Sequence, residues 1–152
     1  MAISSGACGT KTAIDLDTSV LVATFVREVH SERVDRWLNH QDQADLIVSG
    51  WVVTEFSGAL ANKLRRGDIN EPQRTGALSG FSQLCSNNLA VVPVQQEAFH
   101  RAARIADQHA FGVRAADALH LAIAFEHGAT LCTLDRRMSD AGAALGIATL
   151  LI

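Results

Sequence analysis

Short apolar runs alternate with longer amphipathic stretches along nearly the whole chain. The apolar runs are continuous, which is typical of strands buried on both faces of a parallel sheet. They cover residues 13–16, 46–49, 89–94, 130–134 and 147–152. With the stretches between them, they give the element order βααβααβααβαβ without hairpin signals. This order predicts an α/β fold with a parallel sheet of about five strands and helices on both faces.

The stretches between the apolar runs have the residue spacing of amphipathic helices. We predict helices over residues 19–28, 31–41, 52–66, 70–86, 95–109, 114–127 and 136–145. Three of these helices end directly before a glycine, Gly67, Gly128 or Gly146, and glycine is favoured just after a helix. Asn70 and Pro72 are residue types that open a helix.

Four acidic residues stand near the ends of the predicted strands. Asp17 and Asp135 directly follow strands, and Glu55 lies in the first turns of the helix after the second strand. Asp117 lies in the first turn of the helix that leads to the fourth strand. Ligands of open parallel sheets bind at the carboxyl ends of the strands, so at least three of these acids can reach one edge of the sheet.

Carboxylates that converge need a neutralising partner. Two of them about 4 Å apart repel by roughly 4 kcal/mol at an effective dielectric near 20. A divalent metal is the simplest remedy, and ligands that are all oxygen favour Mg²⁺ or Mn²⁺ over Zn²⁺. Three of the acids also have a plainer explanation, because Asp17 and Asp135 can cap helices and Asp117 can favour a helix start. Glu55 has no such explanation, since it lies inside a mostly apolar helix.

Length and composition fit one globular domain. The chain has 152 residues, of which 48% are apolar and 19% charged, and its net charge of −3 excludes a strongly basic protein that coats nucleic acid. We predict a flexible extension over residues 1–12, without signal-peptide character, and a domain over residues 13–152. Three unpaired cysteines, Cys8, Cys85 and Cys132, favour a reducing cytoplasm, and no apolar run is long enough to cross a membrane.

Four segments of the chain resemble the PIN-domain ribonucleases, and among them the VapC-type toxins of toxin–antitoxin pairs. The segments are LDTSVLVATF, VVTEFSGAL, ADALHLAIA and LCTLDRRM. All four occur in order, with the expected elements between them, and the resemblance covers about residues 13–152. It implies a PIN-like three-layer α/β/α sandwich, RNA cleavage dependent on Mg²⁺ or Mn²⁺, a homodimer and an inhibitory antitoxin similar to VapB.

The resemblance also implies a set of site residues. Asp17, Glu55, Asp117 and Asp135 fall on the acidic positions that bind metal and catalyse, and Ser19 and Thr133 fall on hydroxyl positions near the metal. Asp15 departs from the family, which usually has an apolar or aromatic residue there. It is either an additional carboxylate behind the metal ligands or an exposed residue of a frayed strand.

Two other functions compete with the ribonuclease. The string DLDT over residues 15–18 resembles the nucleophile motif of haloacid-dehalogenase-like phosphatases, with Asp15 and Asp17 as its acids. That chemistry needs a lysine shortly before a late acidic pair, and neither Lys11 nor Lys63 is well placed. The third alternative is a non-catalytic PIN-like module that binds RNA or protein.

Several basic and aromatic residues have both a functional and a structural interpretation. For Arg114 and Arg136, which flank the acids, phosphate contact and charge balance are both open. The basic side chains Lys63, Arg65 and Arg66 more simply suit the end of a helix. His120 is either a general acid or, as we favour, a hydrogen-bonded, half-buried histidine. A surface for a partner helix is predicted at Trp37, Leu38, Val52 and Phe56, with core packing as the alternative.

Overall fold

The computed structural model describes residues 12–152, so residues 1–11 of the predicted extension lie outside it. In the described part, the elements follow the predicted order. The strands are β1 (Ile14–Leu16), β2 (Leu46–Ser49), β3 (Ala90–Val92), β4 (Thr130–Thr133) and β5 (Thr149–Leu151). The helices are α1 (Thr18–Phe25), α2 (Ser31–Leu38), α3 (Gly50–Arg66), α4 (Glu71–Asn87), α5 (Gln96–Ala106), α6 (Ala115–Glu126) and α7 (Arg136–Ala144).

The five strands form one parallel sheet in the order β3-β2-β1-β4-β5. Strand β1 lies at the centre, with Ile14 opposite Leu46 of β2 and Thr130 of β4. The chain adds β2 and then β3 on one side of β1, and afterwards adds β4 and then β5 on the other side. The direction in which strands are added therefore reverses between β1 and β4. A crevice at the carboxyl ends of the strands is expected at such a reversal. The predicted three-layer α/β/α sandwich is confirmed.

Element boundaries differ from the sequence prediction mainly at the periphery. The edge strands β3 and β5 are shorter than predicted, because an edge strand has a pairing partner on one side alone. Helix α1 ends at Phe25 instead of residue 28, since Val26 has an extended backbone (φ −123°, ψ 128°). The hydroxyl of Ser31 donates a hydrogen bond to the carbonyl of Ala23 (2.7 Å) and so helps to close the end of α1.

Local capping residues fix the starts and ends of the long helices. The Ser49 hydroxyl accepts a hydrogen bond from the backbone N–H of Val52 (3.3 Å) at the start of α3. Gly67 ends α3 in the left-handed conformation (φ 78°), which a residue without a Cβ adopts readily. Asn70 and Gln73 form a reciprocal capping box at the start of α4.

One face of the sheet carries a buried cluster that we call the aromatic layer. It lies between the sheet and helices α1–α4 and is centred on Phe25, Phe56 and Phe81. The ring centroids of Phe56 and Phe81 are 4.5 Å apart, and Phe25 meets Phe56 edge-on at 5.9 Å. Val52 and Phe56 are fully buried in this cluster, so the prediction that they offer a surface for a partner helix is wrong. Core packing, the alternative, is correct for both.

The opposite face carries a second cluster, the alanine layer. It lies between the sheet and helices α5–α7, and six of its buried residues are alanines: Ala98, Ala102, Ala118, Ala122, Ala124 and Ala141. Larger side chains such as Leu121, Ile123 and Met138 fill the remaining space. No helix within residues 12–152 is both long and apolar enough to span a membrane.

Candidate functional site

The four predicted acids line one open cleft of about 470 Å³ beside the ends of β1 and β4. Asp17 follows β1, Asp135 follows β4, Glu55 comes from α3 and Asp117 comes from α6. His120, Thr18 and Ser19 also line this cleft. Carboxylates far apart in the chain therefore meet at the strand-order reversal, as the element order predicts.

Asp17 is the most firmly held of the acids. It is 4% exposed and caps helix α1, because its Oδ1 accepts a hydrogen bond from the backbone N–H of Val20 (3.2 Å). The Ser19 hydroxyl donates to the same oxygen (2.6 Å), and the Thr133 hydroxyl donates to Oδ2 (2.8 Å). Burial raises the pKa of Asp17, while nearby His120 and these hydrogen bonds act in the opposite direction.

The two hydroxyl residues also connect the central strands at their ends. Ser19 accepts a hydrogen bond from the backbone N–H of Leu134 (3.0 Å), and Thr133 accepts one from the backbone N–H of Asp135 (2.9 Å). Each hydroxyl thus links Asp17 to the loop that follows β4. Both hydroxyls therefore hold the Asp17 carboxylate, and their place near a metal stays a prediction.

Asp135 and Asp117 both hold the start of a helix. Asp135 is exposed and caps α7, with its Oδ1 accepting from the backbone N–H groups of Arg137 (2.8 Å) and Met138 (3.2 Å). Asp117 is half-buried and accepts from the backbone N–H of Arg114 (3.2 Å). The capping explanation and the cleft are therefore compatible, since a carboxylate with two oxygens can serve a helix start and still line the cleft.

Glu55 is held by two donors, which we call the Glu55 clamp: Thr18 and His120. The Thr18 hydroxyl donates to Oε2 of Glu55 (2.6 Å), and Nε2 of His120 donates to the same oxygen (2.5 Å). Burial raises the pKa of Glu55, but the hydrogen bond and charge of His120 together with other hydrogen bonds, among them that of Thr18, outweigh burial, so the pKa is lowered. Burial lowers the pKa of His120, but the hydrogen bond and charge of Glu55 together with the charges of Asp17 and Asp15 outweigh burial, so the pKa is raised.

Sequence reasoning underestimated both members of the clamp. His120 is hydrogen-bonded, as we favoured, but it is fully rather than half buried, with 3% exposure. Thr18 belongs to the strings DLDT and LDTSVLVATF, and neither string assigns it a role. The signal that points to His120 is its place on a helix segment, Ala118–Ala124, whose other members are apolar and buried.

The donor chemistry of the cleft suits Mg²⁺ or Mn²⁺, because carboxylate and hydroxyl oxygens are hard ligands. Within residues 12–152, however, no group of three or more His, Cys, Asp or Glu side chains is placed closely enough to hold a metal ion. Glu55 is bound to its clamp, and Asp117 and Asp135 are bound to helix starts. Metal binding by three of these residues therefore requires their carboxylates to come closer together.

Asp15 lies in the central strand and is 1% exposed, so the alternative of an exposed residue in a frayed strand is wrong. Neither of its oxygens accepts a hydrogen bond from the described residues. Burial raises the pKa of Asp15 to about 7. Its role behind the metal ligands stays a prediction, because it makes no hydrogen bond to them.

The same arrangement gives a phosphatase poor support. Asp15, its nucleophile, is absent from the residues that line the cleft. Lys63, the one lysine among the described residues, is paired with Glu28. Neither an accessible nucleophile nor a free lysine is present in the part of the chain that the structure describes.

The two arginines that flank the acids are both exposed. Arg136 lines a second cleft of about 560 Å³ that shares Thr18, Ser19 and Asp135 with the first. Arg114 precedes α6, and neither arginine forms an ion pair with any residue from 12 to 152.

The basic residues at the end of α3 have structural partners instead. Besides the pair of Lys63 with Glu28, the Arg65 guanidinium donates to Asn62, and that of Arg66 donates to Asp68 (2.9 Å). These contacts favour the structural interpretation of that cluster over phosphate binding.

Comparison with protein families settles the relationship of the chain. The family model described as PIN domain matches residues 14–144. The chain belongs to the PIN domain family. The predicted PIN resemblance is confirmed. No curated protein sequence matches the chain as a relative.

Solved structures share the PIN fold over nearly the whole chain. FitAcB from Neisseria gonorrhoeae has 21% sequence identity and a TM-score of 0.66, over 90% of this chain and 96% of that one. The toxin VapC20 from Mycobacterium tuberculosis, described as sarcin–ricin loop cleaving, has 18% identity and a TM-score of 0.67, over 87% and 95%. VapBC2 from Rickettsia felis, bound to a DNA fragment from its promoter, has 14% identity and a TM-score of 0.68, over 91% and 98%. At these identities the likeness shows the fold.

Proposed function

We propose that this PIN domain is a metal-dependent endoribonuclease and the toxin of a type II toxin–antitoxin pair in the cytoplasm. One observation carries the proposal: four carboxylates from separate parts of the fold line a single open cleft. Among the described residues that line the cleft, His120 is the only basic side chain, so the four acids have little charge compensation. Membership of the PIN domain family supports this assignment, and so do the structural neighbours that are named as toxins or as members of toxin–antitoxin systems.

Each acid has a proposed role toward Mg²⁺ or Mn²⁺. Asp17 and Asp117 are the primary ligands, Asp135 binds directly or through water, and Glu55 completes the set or orients the attacking water. Bound metal would supply charge neutralisation at the phosphate and activation of water. Ser19 and Thr133 hold the Asp17 carboxylate, so that it is already oriented before an ion arrives.

The chain also offers favourable surroundings for an RNA phosphate. Helix α1 begins beside Asp17 and helix α7 begins beside Asp135, so two positive helix N-termini adjoin the cleft. Arg136 lies at the boundary with the second cleft and has no carboxylate partner in residues 12–152. We assign Arg136, and with it Arg114, to contacts with the RNA backbone.

An antitoxin and a second copy of the chain are the proposed protein partners. Several structural neighbours are named as toxin–antitoxin proteins, among them VapBC-5 from Mycobacterium tuberculosis, a member of the VapBC family of toxin–antitoxin systems, and a toxin–antitoxin complex from Klebsiella pneumoniae. By analogy, a VapB-like antitoxin would bind and inhibit this chain, and the active form would be a homodimer.

The central test is RNA cleavage by the purified protein, freed of partners. Single-stranded or looped RNA should be cut with Mg²⁺ or Mn²⁺, and excess EDTA should abolish the reaction. Full activity in EDTA would overturn the proposal. Tight RNA binding without cleavage in either metal would instead favour the non-catalytic PIN-like module.

Replacing a proposed ligand should remove activity and keep the fold. Asp17→Asn and Asp117→Asn should each lower the cleavage rate by about 100-fold or more, because each deletes a negative charge from the metal site. Stability should hold, since Asn can still accept the capping hydrogen bonds. Asp107→Asn, an exposed change at the end of α5, is the matched control and should cleave like the wild type. Unfolding of both site variants would show that the acids are structural.

A further inference from the structure

His120 is an unusual residue for its surroundings. Among the acidic and basic residues within 12–152, those that are buried are Asp15, Asp17 and His120, so His120 is the basic member of the set. It lies on α6 one turn after Asp117, and it lines the same cleft. A helix position that faces a packed core is normally apolar, so this histidine needs a reason to be there.

The contacts of His120 supply that reason. Its Nε2 and the Thr18 hydroxyl both donate to the same oxygen of Glu55, Oε2, at 2.5 and 2.6 Å. A carboxylate oxygen has two lone pairs, so two donors in hydrogen-bond range use both of them. Oε2 is then used by its two donors, so a cation or a water molecule in the cleft would meet Oε1, the oxygen that neither donor contacts.

We propose that His120 is a positioning residue, which acts with Thr18 to fix Glu55 so that Oε1 alone serves the metal and water in the cleft. The inference rests on the proposed function and deepens it. Three helices meet in this contact, since Thr18 belongs to α1, Glu55 to α3 and His120 to α6. The two hydrogen bonds thus hold the carboxylate at the end of the Glu55 side chain on residues of two other helices.

The clamp favours the reaction because the Glu55 side chain is already ordered before the reaction begins. A free glutamate side chain loses rotamer freedom when it is fixed, at a cost of about 1–2 kcal/mol. Removing a hydrogen-bond donor that orients a metal ligand typically lowers metal affinity or activity by about 10–100-fold. His120 is placed to exert an effect of this size on Glu55 without touching the substrate.

Two replacements separate the hydrogen bond from simple packing. His120→Leu removes the donor and keeps an apolar residue of similar bulk in a helix rich in alanine and leucine. His120→Gln places an amide donor near the position of Nε2. Leu should lower kcat for RNA cleavage by about 10-fold or more with KM for RNA nearly unchanged, and Gln should restore most of that loss.

Metal binding gives a readout that does not depend on activity. Calorimetric titration with Mn²⁺ should show about 10-fold weaker binding for His120→Leu than for wild type, and nearly wild-type binding for His120→Gln. The same His120→Leu change made on a Glu55→Gln background should alter neither Kd nor kcat further. This non-additivity is expected if His120 acts through Glu55.

The control variant is His127→Gln. His127 follows the same helix, is exposed, and bonds to the carbonyl of Pro93 rather than to a cleft residue. It should match wild type in Mn²⁺ binding and in cleavage. Circular dichroism melting of every variant verifies that the compared proteins are folded.

The outcomes distinguish this inference from the function on which it rests. Wild-type protein that neither binds Mn²⁺ nor cleaves RNA overturns the proposed function. If wild type does both, then His120→Leu with unchanged kcat and Kd overturns the positioning role. Tighter Mn²⁺ binding by His120→Leu, or equal losses in the Leu and Gln variants, would also overturn it.

Discussion

The two faces of the sheet are built in different ways. The aromatic layer packs Phe25, Phe56 and Phe81 against one another and against four helices. The alanine layer uses small side chains, and Asp15 and His120 are buried on its side of the sheet. His120 lies on helix α6, which covers the alanine layer. Asp15 points to the same face of the sheet, because its partner Leu131 on β4 packs in the alanine layer. Its neighbour Leu16 packs in the aromatic layer, as expected for successive residues of a strand.

The two layers differ in what they determine: the aromatic layer mainly determines the stability of the fold, and the alanine layer mainly determines the geometry of the cleft. Large rings bury more apolar area per residue, so the aromatic layer contributes more of the stabilising free energy. Small residues on α5 and α6 leave little bulk between helix and sheet, so that the position of α6 is sensitive to any added volume. Helix α6 carries Asp117 and His120, so a change in its position reaches the cleft directly.

The largest expected effect is on the aromatic layer. Phe81→Ala should lower the free energy of unfolding by about 3–5 kcal/mol, because it removes a ring that packs on Phe56 and leaves a cavity. Urea unfolding measures the loss, and cleavage per folded molecule should be unchanged. Phe99→Ala is the control, since Phe99 is 53% exposed and should cost little. Similar losses for the two variants would contradict the assignment of stability to this layer.

The second effect concerns the buried charge in the alanine layer. The pKa of Asp15 is about 7 in the folded protein and 3.8 ordinarily, so folding becomes less favourable as pH rises from 3.8 to 7. Above pH 7 the loss is complete, and below 3.8 it is absent. Asp15→Asn removes this dependence. In EDTA, its gain in unfolding free energy over wild type should be on the order of 2–3 kcal/mol larger at pH 8 than at pH 5. An equal difference at the two pH values would show that Asp15 finds a partner on folding.

The smallest effect on stability tests the sensitivity of α6. Ala122→Leu should cost about 1–3 kcal/mol by overpacking, and it should lower cleavage because α6 is displaced. Ala77→Leu, the matched change on α4 in the aromatic layer, should have a comparable cost in stability and no effect on cleavage. Thermal melts and RNA cleavage at a temperature where both variants are folded provide the comparison. If Ala122→Leu and Ala77→Leu lost cleavage activity equally, the cleft would be no more sensitive to added volume in the alanine layer than in the aromatic layer.

Sequence patterns predicted the sheet and the cleft because both follow from local rules. Continuous apolar runs mark buried parallel strands, and acids directly after such strands fall on one edge of the sheet. The positions of Asp17 and Asp135 could therefore be predicted from their neighbours in the chain. Glu55 and Asp117 followed from the helix starts and from the family resemblance.

The remaining features depend on contacts between distant residues. Nothing next to His120 in the chain reveals its bond to Glu55, 65 positions away. Asp15 looked like a possible edge residue because strand order cannot be obtained from one sequence, and β1 proved to be the central strand. The burial of Val52 and Phe56 was undecided for the same reason, since a helix pattern shows an apolar face without showing what covers it.

The position of β1 has a consequence for how the protein is made. Asp17 is near the beginning of the chain, and the hydroxyl that holds its Oδ2 belongs to Thr133, 116 positions later. Strand β4 pairs with β1, and it follows every element from α1 to α6 in the chain. Contacts of such long sequence separation form late, because the intervening chain must be ordered first. A nascent chain therefore has no assembled cleft until the residues up to Thr133 have been made, and Asp17 lacks one of its hydrogen-bond donors until then.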